Sequence, residues 1–79
     1  MGVKEIEKKI MDIIKEINEE IEIDESTLLL EEEVLDSVSM LYLVTELENE
    51  YKIQIPLDAV TEDNFKNIDS IVKYVFSLI

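Results

Sequence analysis

The residues with the clearest chemical potential are an aspartate and a serine side by side, Asp36 and Ser37, between a polar segment and a run of apolar residues. An Asp directly before a helix accepts hydrogen bonds from the free N–H groups of the first turn. A phosphate ester on the Ser37 hydroxyl would lie at the positive end of the helix dipole, where negative charge is favoured. Taken alone, the two residues are more typical of a simple helix cap, and both interpretations stay open here.

Most other kinds of catalytic site are excluded by composition. The chain has no Cys and no His, which rules out disulfides, thiolate metal sites, Cys nucleophiles and a Ser-His-Asp triad. Its only glycine is Gly2, so neither a Gly-rich phosphate loop nor the turn of an EF-hand calcium loop can form. Acidic residues are abundant, but a small helical domain rarely provides a glycosidase cleft. We therefore predict a protein that is not an enzyme and has no metal site.

Acidic charge is concentrated in one part of the chain. Twenty acidic residues against seven Lys give a net charge of −13, which disfavours binding to the phosphates of nucleic acids. Residues 16–50 contain 13 of the acids and no base, while the rest of the chain is neutral. Charge on one face keeps a small protein soluble. Its clustering also predicts a docking face for basic partners.

Length and hydropathy bound the architecture. With 79 residues, of which 47% are hydrophobic, we expect one domain, residues 1–79, with a real core. No apolar run approaches the roughly 18 residues of a membrane span, and the N-terminal residues do not form a signal peptide. We expect a cytoplasmic protein without membrane insertion, acting as a monomer.

The N-terminal part of the chain has the periodicity of an amphipathic helix. Over residues 3–21, apolar residues recur every three or four positions, the spacing of one helix face. We expect these residues to face the core: Val3, Ile6, Ile10, Ile13, Ile14, Ile17 and Ile21. Residues 22–36 lose this period, which predicts a long loop pinned by Leu28, Leu29 and Val34.

A second helix is predicted over residues 37–51, with Asp36 as its cap. Its inward stripe is expected to comprise Val38, Leu41, Val44, Leu47 and Tyr51, with Leu43 adding to its width. Met40 and Tyr42 flank this stripe by about 100° on opposite sides, so each should be partly exposed.

The C-terminal part should contain a turn and a last helix. Pro56 excludes helical geometry at the residue before it, so residues 52–57 should be extended, with one helical turn near residues 57–60. Asn67 is expected to cap a helix over residues 68–78. Its inward residues should be Ile71, Val72, Val75, Leu78 and Ile79. The prediction is an all-α fold, a small bundle of three main helices and a short one.

Four segments together resemble the phosphopantetheine-bearing carrier proteins, the acyl and peptidyl carrier proteins. The family signature, Asp-Ser followed by a large aliphatic residue at the start of the second helix, is matched by VLDSV at residues 34–38. Residues 41–51 resemble the rest of that helix, and residues 53–56 read IQIP, a family-like ending. Residues 61–68 read TEDNFKNI, similar to a signature of stand-alone carriers of secondary metabolism and amino-acid loading.

The resemblance implies an acyl-carrier-protein-like four-helix bundle that carries cargo for other enzymes. It implies that Ser37 takes a 4′-phosphopantetheine arm from coenzyme A through a separate Mg²⁺-dependent phosphopantetheinyl transferase, which recognises Asp36 at the helix N-terminus. The thiol of the arm would hold an acyl or aminoacyl group as a thioester. Further partners would be a loading enzyme and a downstream acyltransferase or synthase. The absence of Cys and of a catalytic base fits such a carrier.

Departures from the family pattern bear on the kind of carrier. Carriers of bacterial fatty-acid synthesis usually have a small residue near Asp-Ser and acids where this chain has Ser39, Tyr42 and Asn49. The Leu35-Asp36-Ser37 form is more similar to D-alanyl carriers and other amino-acid or secondary-metabolite carriers.

The outer face of the second helix is the predicted partner surface. Met40 and Tyr42 are either half-buried flanks of the core or an apolar contact beside Ser37, where a loading enzyme docks. The full predicted surface comprises Val38, Met40, Tyr42, Glu46 and Glu48. The alternative function is an unmodified acidic helical adaptor that binds a basic or amphipathic partner.

Overall fold

The computed structural model of the protein describes residues 2–20, 22–32 and 34–79. Three α-helices are present: α1, Val3–Ile17; α2, Ser37–Tyr51; and α3, Ile68–Leu78. A short 3-10 helix, Leu57–Ala59, lies between α2 and α3, and none of the described residues forms a strand. Helix α1 packs against both α2 and α3. The predicted all-α fold, with three main helices, one short helix and a long first loop, is confirmed.

Helix α1 is shorter than its apolar pattern. It ends at Ile17, because Asn18 has extended backbone angles, φ −142° and ψ 91°. Its buried residues are Ile6, Ile10, Ile13 and Ile14, as predicted. Val3 is exposed and Ile17 half-buried, so the predicted stripe is too long at both ends; Ile21 lies outside the described residues.

The loop between α1 and α2 is fixed to the start of α3. The amide of Leu29 donates to the Lys66 carbonyl at 3.0 Å, and the amide of Asp69 donates to the Glu25 carbonyl at 3.2 Å. Of the side chains predicted to pin this loop, Leu29 and Val34 are buried and Leu28 is half-buried. Leu35 is also buried, next to the Asp36–Ser37 pair.

Helix α2 begins as predicted, and the predicted inward positions of Val44, Leu47 and Tyr51 are confirmed, but its first turns face the core with other residues than predicted. Its buried residues are Met40, Leu43, Val44, Leu47 and Tyr51. Val38 is 76% exposed and Leu41 48% exposed, so their predicted inward orientation is wrong. The first turns of α2 carry apolar residues at several adjacent positions, so the sequence is compatible with two different apolar stripes along the helix. In the structure, the buried stripe runs from Met40 to Tyr51 at spacings of three and four residues.

After α2 the chain extends and then turns, as Pro56 predicts. Pro56 has φ −65° and ψ 150°, and the 3-10 helix follows it directly. Ile55 is buried, and so is Phe65, which the sequence analysis did not place in the core. The Phe65 ring packs against Tyr74 of α3, with ring centroids 6.0 Å apart.

Helix α3 begins at the predicted cap. The Asn67 side chain accepts a hydrogen bond from the Ser70 amide at 2.8 Å. Its buried residues are Ile68, Ile71, Val72 and Val75. The predicted burial of Leu78 and Ile79 is wrong, since both are exposed where the apolar stripe passes the end of the bundle.

Candidate functional site

The Asp36–Ser37 pair lies where the predicted site requires it, at the N-terminus of α2. Ser37 is the first residue of the helix and is exposed to solvent. The Asp36 carboxylate accepts a hydrogen bond from the Ser39 amide at 2.8 Å, which is the predicted cap. The Ser37 hydroxyl is therefore accessible at the positive end of a helix dipole.

The cap also controls the ionisation of Asp36. Hydrogen bonds from the Ser39 backbone amide and from its hydroxyl hold the pKa of Asp36 below the usual value. Because the folded-state pKa is depressed, the ionised cap stabilises the fold above the pKa of Asp in the unfolded chain. This contribution is lost as the pH falls through the folded-state value.

Ser37 borders an apolar groove that three separate parts of the chain build. The groove has a volume of about 370 Å³. Its lining comes from the first loop, from α2 and from the 3-10 segment, and comprises Leu30, Ser37, Met40, Leu41, Leu57 and Val60. A second groove of about 460 Å³ is lined by Leu30, Leu35, Asp36 and Ser37. Leu30 and Ser37 therefore line both grooves, of which the first is apolar and the second more polar.

Three of the groove residues were missed by the sequence analysis. Leu30, Leu57 and Val60 are separated along the chain and meet only in the folded structure. The one feature of the sequence that could have indicated these residues is an apolar side chain next to acidic ones. Leu30 is followed by Glu31 and Glu32, and Leu57 is followed by Asp58.

The five predicted partner residues fall into different environments. Val38 and Tyr42 are exposed, and Glu46 is half-buried. Met40 is only 3% exposed, so the prediction that it is at least partly exposed is wrong; it lines the apolar groove instead. Glu48 is half-buried, and its carboxylate accepts the Ile55 amide at 2.8 Å.

Tyr42 and Glu46 are coupled on the outer face of α2, one helical turn apart. A side-chain hydrogen bond with Glu46 and the charge of that carboxylate raise the pKa of Tyr42 above its usual value. The phenol therefore stays neutral and presents an apolar ring beside an ionised acid.

A family model described as "Phosphopantetheine attachment site" matches residues 5–75 of the chain. The protein belongs to the phosphopantetheine attachment family. Members are non-catalytic carrier domains that hold a covalent 4′-phosphopantetheine group. The predictions of a carrier and of its cofactor are thereby confirmed, and the adaptor alternative is not favoured. A comparison with curated proteins finds no match.

The residues of this carrier domain fit the cofactor of its family. An exposed hydroxyl at the start of α2 can be reached by a modifying enzyme, and a phosphodiester there would be stabilised by the helix N-terminus. The family implies interaction with a phosphopantetheinyl transferase and with acyl-handling enzymes in general.

Two negative findings concern only the described parts of the carrier domain. Within residues 2–20, 22–32 and 34–79, no group of three potential metal-ligating side chains is suitably clustered. In the same ranges no helix has the length and apolar character needed to cross a membrane.

Proposed function

We propose that Ser37 is the attachment residue and that residues 1–79 form one carrier domain. The observation that carries this proposal is the exposed Ser37 hydroxyl at the capped N-terminus of α2, within a family match over residues 5–75. In attachment, the Ser37 oxygen bonds to the phosphorus that becomes the phosphodiester, and the bond from this phosphorus to the adenosine bisphosphate of coenzyme A breaks. The hydroxyl proton passes to a base of the transferase. When bound, the group supplies the thiol that holds cargo as a thioester.

The side chains around Ser37 prepare this transfer without taking part in it. The Asp36 carboxylate accepts a hydrogen bond from the Ser39 amide at 2.8 Å and so fixes the first turn of α2. The remaining free N–H groups of that turn and the helix dipole favour a phosphodiester on Ser37. Asp36, exposed and ionised, is available for recognition by the transferase.

The partner surface is proposed to be the exposed part of α2 next to Ser37. Val38 and Tyr42 provide apolar contact area, and Glu46 provides negative charge beside the Tyr42 ring. Apolar and aromatic residues are enriched in the centre of interfaces, while acids steer basic partners toward them. A loading enzyme and a downstream acyltransferase or synthase would bind this surface in turn, with the carrier as a monomer.

The kind of carrier is proposed from the same residues. Ser39, Tyr42 and Asn49 are uncharged where carriers of bacterial fatty-acid synthesis usually have acids. With Leu35 before Asp36, these residues support an amino-acid or secondary-metabolite carrier rather than a fatty-acid-synthesis carrier.

Intact mass spectrometry tests the attachment site. The protein is incubated with coenzyme A, Mg²⁺ and a broad-specificity phosphopantetheinyl transferase, beside a known carrier as a positive control. We expect one phosphopantetheine addition to the wild type and to Ser39→Ala, and none to Ser37→Ala. Ser39 is the matched control because it is a second serine in the same helical turn. An unmodified wild type, while the positive control is fully loaded, would support the adaptor instead.

A further inference from the structure

Helix α1 carries a narrow line of lysines on its solvent face, on a different helix from Ser37. At about 100° per residue, Lys4, Lys8 and Lys15 lie within about 40° of one another round the helix, and Met11 lies about 20° beyond Lys4. The three lysines are exposed and Met11 is half-buried. These four residues form the basic ridge, on the side of α1 away from the isoleucines that the helix buries.

The basic ridge also faces away from α2. Lys9 marks the side of α1 that faces α2, because its ammonium group pairs with the Glu50 carboxylate at 3.3 Å. The ridge residues lie about 100–160° round α1 from Lys9. Lys8, the nearest of them, borders only the last turn of α2, at Glu50 and Tyr51, about 20 Å along the helix from Ser37. A protein bound to the ridge therefore leaves Ser37 open.

The stability of α1 does not account for this line of charge. Lys4 and Lys8 are four residues apart, so their like charges repel on adjacent turns. Lys4 also lies in the first turn, at the positive end of the helix dipole; only Lys15, in the last turn, is placed favourably. In the described parts of the chain neither Lys4 nor Lys15 forms an ion pair, although the sequence contains 20 acids. Residues placed at a cost to the fold are characteristic of functional surfaces.

Acidic residues border the basic ridge on both sides. Glu7 lies about 40° beyond Met11, and Asp12 lies about 40° beyond Lys8. The Lys8–Asp12 ion pair, at 3.2 Å, is exposed and contributes little, so it leaves Lys8 available to a partner. Across the helix the charge therefore changes from negative to positive and back to negative.

We infer that the basic ridge is a second docking surface, for a helix of a partner protein that has acids along its centre and bases at its edges. The acids of such a helix pair with the three lysines, and its bases pair with Glu7 and Asp12. Met11 adds an adaptable apolar contact. The partner holds the domain by α1 while enzymes act at α2. This inference does not depend on attachment at Ser37.

Two other occupants fit the basic ridge less well. A flat anionic lipid surface would meet the acids at both edges as well as the lysines. The one apolar residue of the ridge, Met11, is half-buried, so there is no large apolar side chain to insert into a membrane. A second copy in a two-fold dimer would set the same charged surface against itself, and two chains of net charge −13 repel each other.

An NMR titration with designed peptides tests the charge pattern. The probe is an Ala-based helical peptide of about 20 residues, long enough to be helical in water, with Glu along its centre and an equal number of Lys at its edges. In a second peptide the Glu and Lys positions are exchanged. Neither peptide has a net charge, so a difference between them reports the pattern and not overall attraction. The readout is the set of backbone amide shifts of the ¹⁵N-labelled protein.

We expect the first peptide to shift the amides of the ridge residues, with a Kd of about 1 mM or tighter at low salt. Binding should be at least about threefold weaker at 0.15 M NaCl, because the charges are exposed and screened. The exchanged peptide should bind at least about tenfold more weakly than the first. Vesicles of anionic phospholipid should leave the ridge amides unchanged.

Two triple variants are matched in charge and exposure. Each replaces three exposed lysines by Gln and breaks one exposed ion pair between residues four apart. The ridge variant combines Lys4→Gln, Lys8→Gln and Lys15→Gln, and the control variant combines Lys52→Gln, Lys66→Gln and Lys73→Gln. The ridge variant should bind the first peptide at least about tenfold more weakly, and the control variant should bind it like the wild type. Gln and Lys have similar helix propensities, so both variants should keep their circular dichroism.

Phosphopantetheine loading separates this inference from the proposed function. Loading of Ser37 should be equally fast with and without the saturating peptide, and Ser37→Ala should bind the peptide like the wild type. Equal binding of both peptides, unchanged binding by the ridge variant, slower loading in the complex, or binding of vesicles in place of the peptide would each overturn the docking surface and leave attachment at Ser37 standing. A wild type that binds the peptide but takes no arm would overturn the proposed function and leave the docking surface standing.

Discussion

The Glu48 carboxylate accepts a hydrogen bond from the backbone amide of Ile55 at 2.8 Å, across the C-terminal end of α2. The Glu48 carbonyl also accepts hydrogen bonds from the amides of Lys52 and Ile53. Glu48 therefore bonds to three residues of the segment that follows α2. This segment continues through Pro56 to Leu57, which lines the apolar groove. Glu48, predicted from sequence to face partners, also supports the segment that shapes the groove.

Removing this acceptor should destabilise the fold. Glu48→Ala leaves the amide of the buried Ile55 without its partner, and we expect a loss of about 1–2 kcal/mol in the free energy of unfolding. Glu48→Gln keeps a side-chain carbonyl acceptor and should lose less. Urea denaturation followed by circular dichroism measures both. Equal midpoints for wild type and Glu48→Ala would show that the contact contributes nothing.

The phase of α2 can be tested with two leucines that the sequence pattern places on one stripe. Leu47 is fully buried and Leu41 is 48% exposed. Leu47→Ala should cost about 2–5 kcal/mol and leave little folded protein at 37 °C, because a small domain has only about 5 kcal/mol or slightly more to lose. Leu41→Ala should cost less than about 1 kcal/mol. Equal losses in denaturant titrations would contradict the structural phase.

The sequence predicts structural features that depend on residues close together in the chain. It fails for features that depend on contacts between residues far apart in the chain. The caps at Asp36 and Asn67 are local, since each side chain bonds to an amide three residues on, and both are confirmed. The phase of α2 depends on which of two apolar stripes meets α1, and the pattern alone cannot choose. Phe65 was missed because its neighbours in the chain are polar, while it packs in the core against residues distant in the chain, Tyr74 among them.

The same distinction applies to the candidate site. Ser37 and its position at the start of α2 follow from adjacent residues, so sequence patterns suffice to find them. The groove needs Leu30, Leu57 and Val60 to meet, and hydrogen bonds that no periodicity reveals hold the loop of Leu30 to the start of α3. Its apolar lining could therefore be recognised only in the folded structure.

Lys52 offers a stabilising substitution at the end of α2. It is the only non-glycine residue with positive φ among those described, at φ 57° and ψ 43°. A side chain is strained in this left-handed conformation, which glycine adopts freely and often occupies after helices. Lys52→Gly should raise the free energy of unfolding, because the cost of roughly 1–2 kcal/mol for an L-residue in this conformation exceeds the entropy that glycine loses on folding. Lys52→Ala removes the charge but keeps Cβ, so it should not raise the free energy of unfolding. A stabilisation as large as that of Lys52→Gly would show that the effect comes from the loss of the charge.

Salt should stabilise the protein despite its ion pairs. The three ion pairs of the described residues, Lys8–Asp12, Lys9–Glu50 and Lys73–Asp69, are all exposed and add little stability. Repulsion within residues 16–50, which hold 13 acids and no base, should dominate and is screened over about 8 Å at physiological ionic strength. The melting temperature should rise from low salt to about 0.15 M NaCl. NaCl and MgCl₂ at matched ionic strength separate screening from cation binding, and a flat curve would contradict the prediction.

Tyr42 should matter for the loading enzyme more than for the fold. Tyr42 is 44% exposed on α2, five residues after Ser37, and its side chain interacts with the Glu46 carboxylate. Tyr42→Glu replaces an apolar contact with a second negative charge, so we expect unchanged phosphopantetheine loading and at least about tenfold slower acylation by the cognate loading enzyme. Tyr42→Phe keeps the ring and loses only the hydrogen bond to Glu46, and its acylation should remain close to wild type. A rate loss in Tyr42→Phe as large as in Tyr42→Glu would assign recognition to the phenol, and equal rates in all three proteins would remove Tyr42 from the partner surface.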